Sequence, residues 1–284
     1  MIRPFVTAVV LGCLFGCSTP PSTGAEDGAD ESVGPAVERA RDRRAERSAG
    51  DDPGVVIERF RCRPGRPQPG PILEILRAEG FTPDGADEFR AHGFDAIVVP
   101  SSSLARLEAG LGEEAFTGRT WHGEAHGWRS VASRRLAPGT AVLLDGRPRR
   151  SNDDILALAF RGWSIPTVDD DAIYLEIVPH VAGARLDLIA TPRQIGELRG
   201  TPISSTLCCR LEADESLILV SAEDLTPEDD EASEEPASGG GGFSGPIVPL
   251  PPTPAAWLID EPLSGDRGVI VIEGRPRPTI PNPG

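Results

Sequence analysis

The residues best placed to do chemistry in this chain are His122, Glu124 and His126, in the run Trp121-His122-Gly123-Glu124-Ala125-His126-Gly127-Trp128. On a β-strand alternate positions share a face. The three side chains would then project together, a two-histidine, one-carboxylate set suited to a divalent metal. Alternate strand positions lie about 6.6 Å apart, which stretches a shared site. A helix would place the histidines at i and i+4, but Gly123 and Gly127 oppose one. The order is also not the His-Glu-x-x-His of metalloproteases. The competing reading is a Gly-rich strand or hairpin with two Trp rings packed over glycines.

Other reactive sets are missing from the sequence. All 28 cationic residues are arginine, so a lysine Schiff base, a phosphate-loop lysine and a lysine nucleophile are excluded. Ser101-Ser102-Ser103 lacks the Gly-x-Ser-x-Gly elbow of a hydrolase and reads as a helix cap. Asp169-Asp170-Asp171 lacks the glycine and spacing of a calcium loop. No Gly-rich dinucleotide fingerprint follows a strand, and no cofactor is implied. A net charge of −16 argues against nucleic acid, whose phosphates need a basic face.

The elements that must position these residues are readable from periodicity. Strands are predicted at 55–60 and 94–100, with helices at 72–80 and 104–111. From residue 119 the pattern turns to strands: 119–128, 128–132 and 141–144, with Asp145-Gly146 as a hairpin turn. A short helix is predicted at 155–160, capped by Asn152-Asp153-Asp154. Strands follow at 172–179, 185–189, 205–211 and 216–221. Eight acidic residues lie between Glu223 and Glu235 with no basic residue among them, followed by glycines and prolines. This stretch reads as an insertion without a core of its own. Strands at 256–259 and 269–272 should rejoin the sheet beyond it.

The first seventeen residues carry one positive charge, Arg3, an apolar run from Phe5 to Leu14, and then Leu14-Phe15-Gly16-Cys17. The run is too short to span a bilayer, which needs about twenty residues, and it reads as a secretory signal peptide. The pattern resembles the lipobox of bacterial lipoproteins, whose cysteine is lipidated and becomes the new N-terminus. That resemblance implies palmitate-type acylation of Cys17 and anchoring on a membrane surface. Val10-Leu11-Gly12-Cys13 is a second match that leaves a shorter apolar region. Ser18 is not an acidic retention signal, and by the same resemblance this favours the outer membrane over the inner. The run Tyr174 to Val181, followed by Leu186-Asp187-Leu188-Ile189, also resembles the β segments of secretins over about sixteen residues. The chain as a whole is similar to uncharacterised lipoproteins of GC-rich bacteria.

With Cys17 taken by lipid, Cys62, Cys208 and Cys209 remain, and export implies an oxidising compartment. A bridge from Cys62 to Cys208 or Cys209 is one expectation; three unbridged thiols are the other.

These signals together predict an α+β fold: a small helix-containing N-terminal part followed by a mostly antiparallel β region. The expected order is signal peptide 1–17, disordered tether 18–53, α+β domain 54–222, acidic, Gly- and Pro-rich insertion 223–255, closing strands 256–273 and Pro-rich tail 274–284. The function expected is that of a membrane-anchored envelope lipoprotein that binds or scaffolds an envelope protein partner. It faces the periplasm or the exterior and binds no nucleic acid. Enzyme activity is left open, with a non-enzymatic role favoured. The alternative is a metal-dependent enzyme using His122, Glu124 and His126.

Overall fold

The computed structural model describes residues 33–48, 52–167, 171–183, 200–222 and 250–277. Cys17 and its signal segment, the expected strand at 185–189, most of the acidic insertion and the tail from residue 278 lie outside the described residues.

Strand β1 (Gly54–Cys62) shows how the fold is layered. Val55 and Ile57 point to one side and enter one apolar cluster, while Phe60 and Cys62 point to the other and enter a second. A strand apolar on both faces must be covered on both. β1 therefore lies inside a five-stranded antiparallel sheet, in the order β2 (Phe94–Pro100), β11 (Glu215–Ser221), β12 (Arg267–Arg275), β1, β3 (Phe116–Trp121). Helices α2 (Pro69–Glu79) and α4 (Leu104–Leu111) cover one face, burying Leu73, Leu76, Leu104 and Leu107 against Ile97, Ile218 and Val271. The other face packs on a second antiparallel sheet, ordered β10 (Leu207–Glu212), β8 (Asp171–Gly183), β7 (Asp154–Pro166), β4 (Ala125–Leu136). Leu158, Phe160, Ile173, Leu175 and Ile177 of that sheet meet Ile57, Leu219 and Ile272 of the first. The short α3 (Ala86–Arg90) and a two-residue β9 (Thr201–Pro202), paired to β8, complete these layers. The α+β class is as expected.

The hairpin of β5 (Ala141–Leu144) and β6 (Arg147–Arg150) turns at Asp145-Gly146, with φ of 51° and 68°. Positive φ at both central positions is what a two-residue type I′ turn requires. Strand β12 lies between β11 and β1, so the acidic stretch connects two neighbouring strands of one sheet and separates no domains.

Five expectations are corrected. The expected tether contains α1 (Val33–Ser48), a helix lying beside α4 with Ala40 buried. Residues 155–160 are not helix but the first half of β7: alternate side chains go to opposite faces, and 156–160 are buried on both. Residues 256–259 are not strand; Pro254–Leu258 forms α5, where the Thr253 hydroxyl accepts from the Ala256 N–H at 3.3 Å and Pro254 opens the first turn. Ser101–Ser103 forms a 3₁₀ turn and caps nothing through its side chains; Ser103 donates to Glu79 at 2.8 Å instead. No disulfide joins Cys62 to Cys208 or Cys209. Cys62 lies in the cluster beneath the helices and Cys209 in the cluster between the sheets, so the first sheet separates them.

Candidate functional site

The expected strand 119–128 is broken where the chain crosses from the first sheet to the second. β3 ends at Trp121 and β4 begins at Ala125. The crossing is pinned to β1 by two backbone bonds, His122 N–H to the Val55 carbonyl at 2.9 Å and Val55 N–H to the Gly123 carbonyl at 3.0 Å. Gly54 has a φ of 145°, and a Cβ there would lie 2.3 Å from the Gly123 backbone. Glycine at 54 is therefore a condition of the crossing.

That crossing separates the three metal-ligand candidates. His122 turns inward and meets the Phe160 ring edge-on at 5.0 Å. Burial, followed by the Arg59 and Arg129 cations, holds its imidazole below the ordinary histidine range. His126 stacks on Trp163 with centroids 5.9 Å apart. Phe160 and Trp163 are three apart on one strand and so point to opposite faces of the sheet. Glu124 stays near His126, at 3.8 Å, but its carboxylate is engaged elsewhere. A hydrogen bond from the Ser164 hydroxyl, and then the Arg277 cation, hold it below the usual carboxylate range. Arg277 lies 3.2 Å away. Among the described residues no three His, Cys, Asp or Glu side chains are grouped so as to hold a metal ion. The expected triad becomes a pair on one side and an isolated imidazole on the other.

What the second sheet does assemble is a cross-strand array on its outer face. The register sets Trp163 opposite Tyr174 and Tyr174 opposite Arg210; two residues along, Arg161 lies opposite Glu176 and Glu176 opposite Cys208. Directly opposed residues share a face and touch. His126 extends the first row onto β4, and Trp128 extends the second: the Arg161 guanidinium sits 4.9 Å from the Trp128 ring centroid and 5.6 Å from that of Trp163. Trp163 and Tyr174 have centroids 5.3 Å apart. Arg161 also pairs with Glu176. All of these side chains except His126 and Arg210, which are exposed, are half-buried. The Tyr174 hydroxyl is pushed up to about 12 by its hydrogen bond with Cys208, by burial and by Glu176. It is a neutral donor and acceptor at neutral pH.

Chemically this face offers ring surface, a guanidinium fixed between two indoles, and a phenol that keeps its proton. Such groups bind. Comparison with protein-family models, with curated proteins and with solved structures finds no match to this chain. The Cys209 thiol, next to this face in sequence, points into the core, where burial pushes it up to about 12, too high for a nucleophile at neutral pH.

Sequence reading had found His126, Glu124 and Trp128 but not Arg161, Trp163, Tyr174 or Arg210. The signal was there in the alternation Arg161, Trp163 and Tyr174, Glu176. The element predicted over 155–160 stops short of Arg161 and Trp163, and the register that sets them opposite Glu176 and Tyr174 is fixed by strand pairing and not by any local pattern.

Proposed function

We propose that this chain is a lipid-anchored protein of the bacterial cell envelope, held through Cys17, that binds an envelope protein through the outer face of its second sheet. It acts as a binding or scaffolding component and faces the periplasm or the exterior, on the outer membrane in preference to the inner. The observation that carries the binding reading is the concentration of rare residues on that face. Of the four Trp and one Tyr in the whole chain, Trp128, Trp163 and Tyr174 lie together there around Arg161. Trp, Tyr and Arg dominate the residues whose truncation most weakens protein interfaces, because they combine large apolar area with directional polar groups. The anchor fits this use. The sixteen residues from Cys17 to Val33 can extend at most about 55 Å, so the folded domain stays close to the membrane that holds the lipid.

The test is cross-linking and co-purification from envelope extracts with the full chain and its Trp163→Ala and Arg161→Ala variants. A specific partner recovered with the native chain and lost about tenfold or more with either variant is expected, in line with hot-spot truncations. Equal recovery with all three would rule the face out. Radiolabelled palmitate should be incorporated by the native chain and not by Cys17→Ala.

A further inference from the structure

We propose that the cleft at the end of β1, between the loop carrying Arg63 and Arg66 and the C-terminal end of α4, binds the phosphate group of an anionic amphiphile. It is a different place from the outer face of the second sheet, and its chemistry does not depend on what that face binds. The cleft has a volume of about 1030 Å³, and Arg61, Arg63 and Arg66 are among the residues that line it. Three cations thus fall within six residues at this cleft, in a chain whose net charge is −16.

The loop that presents them is fixed. Its turn is closed by Arg66 N–H to the Arg63 carbonyl at 3.1 Å, with Gly65 at a φ of 78°. The Gln68 amide donates to the carbonyls of Arg63 and Arg66 at 3.0 and 2.8 Å. The guanidinium groups are therefore carried on a backbone that loses little freedom when a ligand arrives.

The carboxylates of the cleft are already occupied. Glu114 pairs with Arg66 at 2.9 Å and Glu113 with Arg43 at 3.6 Å. Arg61 and Arg63 have no carboxylate partner among the described residues. Two guanidinium groups without a carboxylate partner in the lining of one cleft suit the tetrahedral oxygens of a phosphate, which each can grip with two parallel N–H bonds. Leu111, Ala115 and Pro67 supply apolar wall beside them. A cationic rim over apolar wall fits a ligand with an anionic head and a hydrocarbon portion. The phosphate chemistry stands on these residues alone; a membrane lipid as its source rests on the anchor at Cys17.

The experiment is calorimetric titration of the purified full chain with dihexanoylphosphatidylglycerol kept monomeric, with inorganic phosphate, and with octyl glucoside, which has a hydrocarbon chain and no phosphate. The native chain should bind the phosphatidylglycerol. Arg61→Gln combined with Arg63→Gln should weaken it about tenfold or more, the scale of one charge-assisted hydrogen bond. Equally tight, arginine-dependent binding of inorganic phosphate would support the phosphate site and assign it to a free phosphate. Octyl glucoside bound as tightly as the phospholipid would overturn the proposal, as would no binding of either phosphate probe. So would affinity unchanged in the double variant. Both arginines are exposed, and an unchanged urea midpoint for the variant separates lost binding from lost folding.

Discussion

Glu58 lies fully buried on the helix-side face of the first sheet. Its carboxylate meets Arg44 at 2.5 Å, with Arg119 and Arg47 at 3.4 and 3.7 Å, and Arg44 also pairs with Glu273. Burial pushes the Glu58 carboxyl above the usual range despite these cations, so the site is one where desolvation is large and the pairing must be kept whole. Removing one partner of a buried ion cluster costs about 3 kcal/mol or more, because the remaining charges lose compensation. Glu58→Ala should lower the urea midpoint accordingly, while an exposed control such as Glu88→Ala leaves it within experimental scatter. His122 makes a second residue-scale prediction. Its imidazole is held low in the folded chain by burial and by Arg59 and Arg129, whereas the unfolded chain takes up its proton near pH 6.5. The unfolded state thus binds more protons in that window, and stability falls as the pH drops below about 6.5. Burial lowers His92 in the same way. Urea unfolding between about pH 8 and about pH 5 should show this fall, and His122→Gln should make it shallower.

Among the elements, α1 is the least expected from its sequence and the most instructive. It has almost no apolar face, and a helix of that kind is not stable by itself. It persists because Arg43, Arg44 and Arg47 reach carboxylates that only the folded sheet and α4 bring together: Glu58, Glu108 and Glu273. Arg47 and Glu108 are joined by two hydrogen bonds at 3.1 and 2.6 Å, and the Arg47 guanidinium also lies 4.4 Å from the centre of the Phe116 ring. Arg44→Ala with Arg47→Ala should therefore release α1 and leave the sheets in place. Trypsin should then cut at Arg39 and Arg41 about tenfold faster than in the native chain. Strand β7 gives the opposite lesson. Its apolar run was visible, but a short unbroken apolar run does not by itself distinguish a helix from a strand buried on both faces. The hairpin at Asp145-Gly146 was legible because two residues with positive φ are a local requirement. The three candidate ligands were legible as residue types but not as a site. A break at Gly123, forced by the crossing between sheets, put His122 on the other side.

At the scale of the molecule, the last described strand holds the first sheet together. β12 pairs with β1 along Gly54 to Cys62 and with β11 along Ser216 to Val220. A chain ending before Arg267 would split the first sheet into two pairs, β2 with β11 and β1 with β3, and leave one edge of β11 and of β1 without a partner. Truncation after Asp266 should abolish cooperative unfolding, read by near-ultraviolet circular dichroism. By itself the sequence determined the fold class, most strand and helix positions and the net acidic character, since these follow from periodicity, turn chemistry and composition. Only the tertiary structure decided which strands are neighbours, that α1 is docked, and which side chains share a face. Those outcomes depend on partners far away in the chain: Glu58 for Arg44, Tyr174 for Trp163, and Val55 for the crossing at Gly123. No local pattern carries the identity of a distant partner, and the outer face of the second sheet is assembled from such pairings.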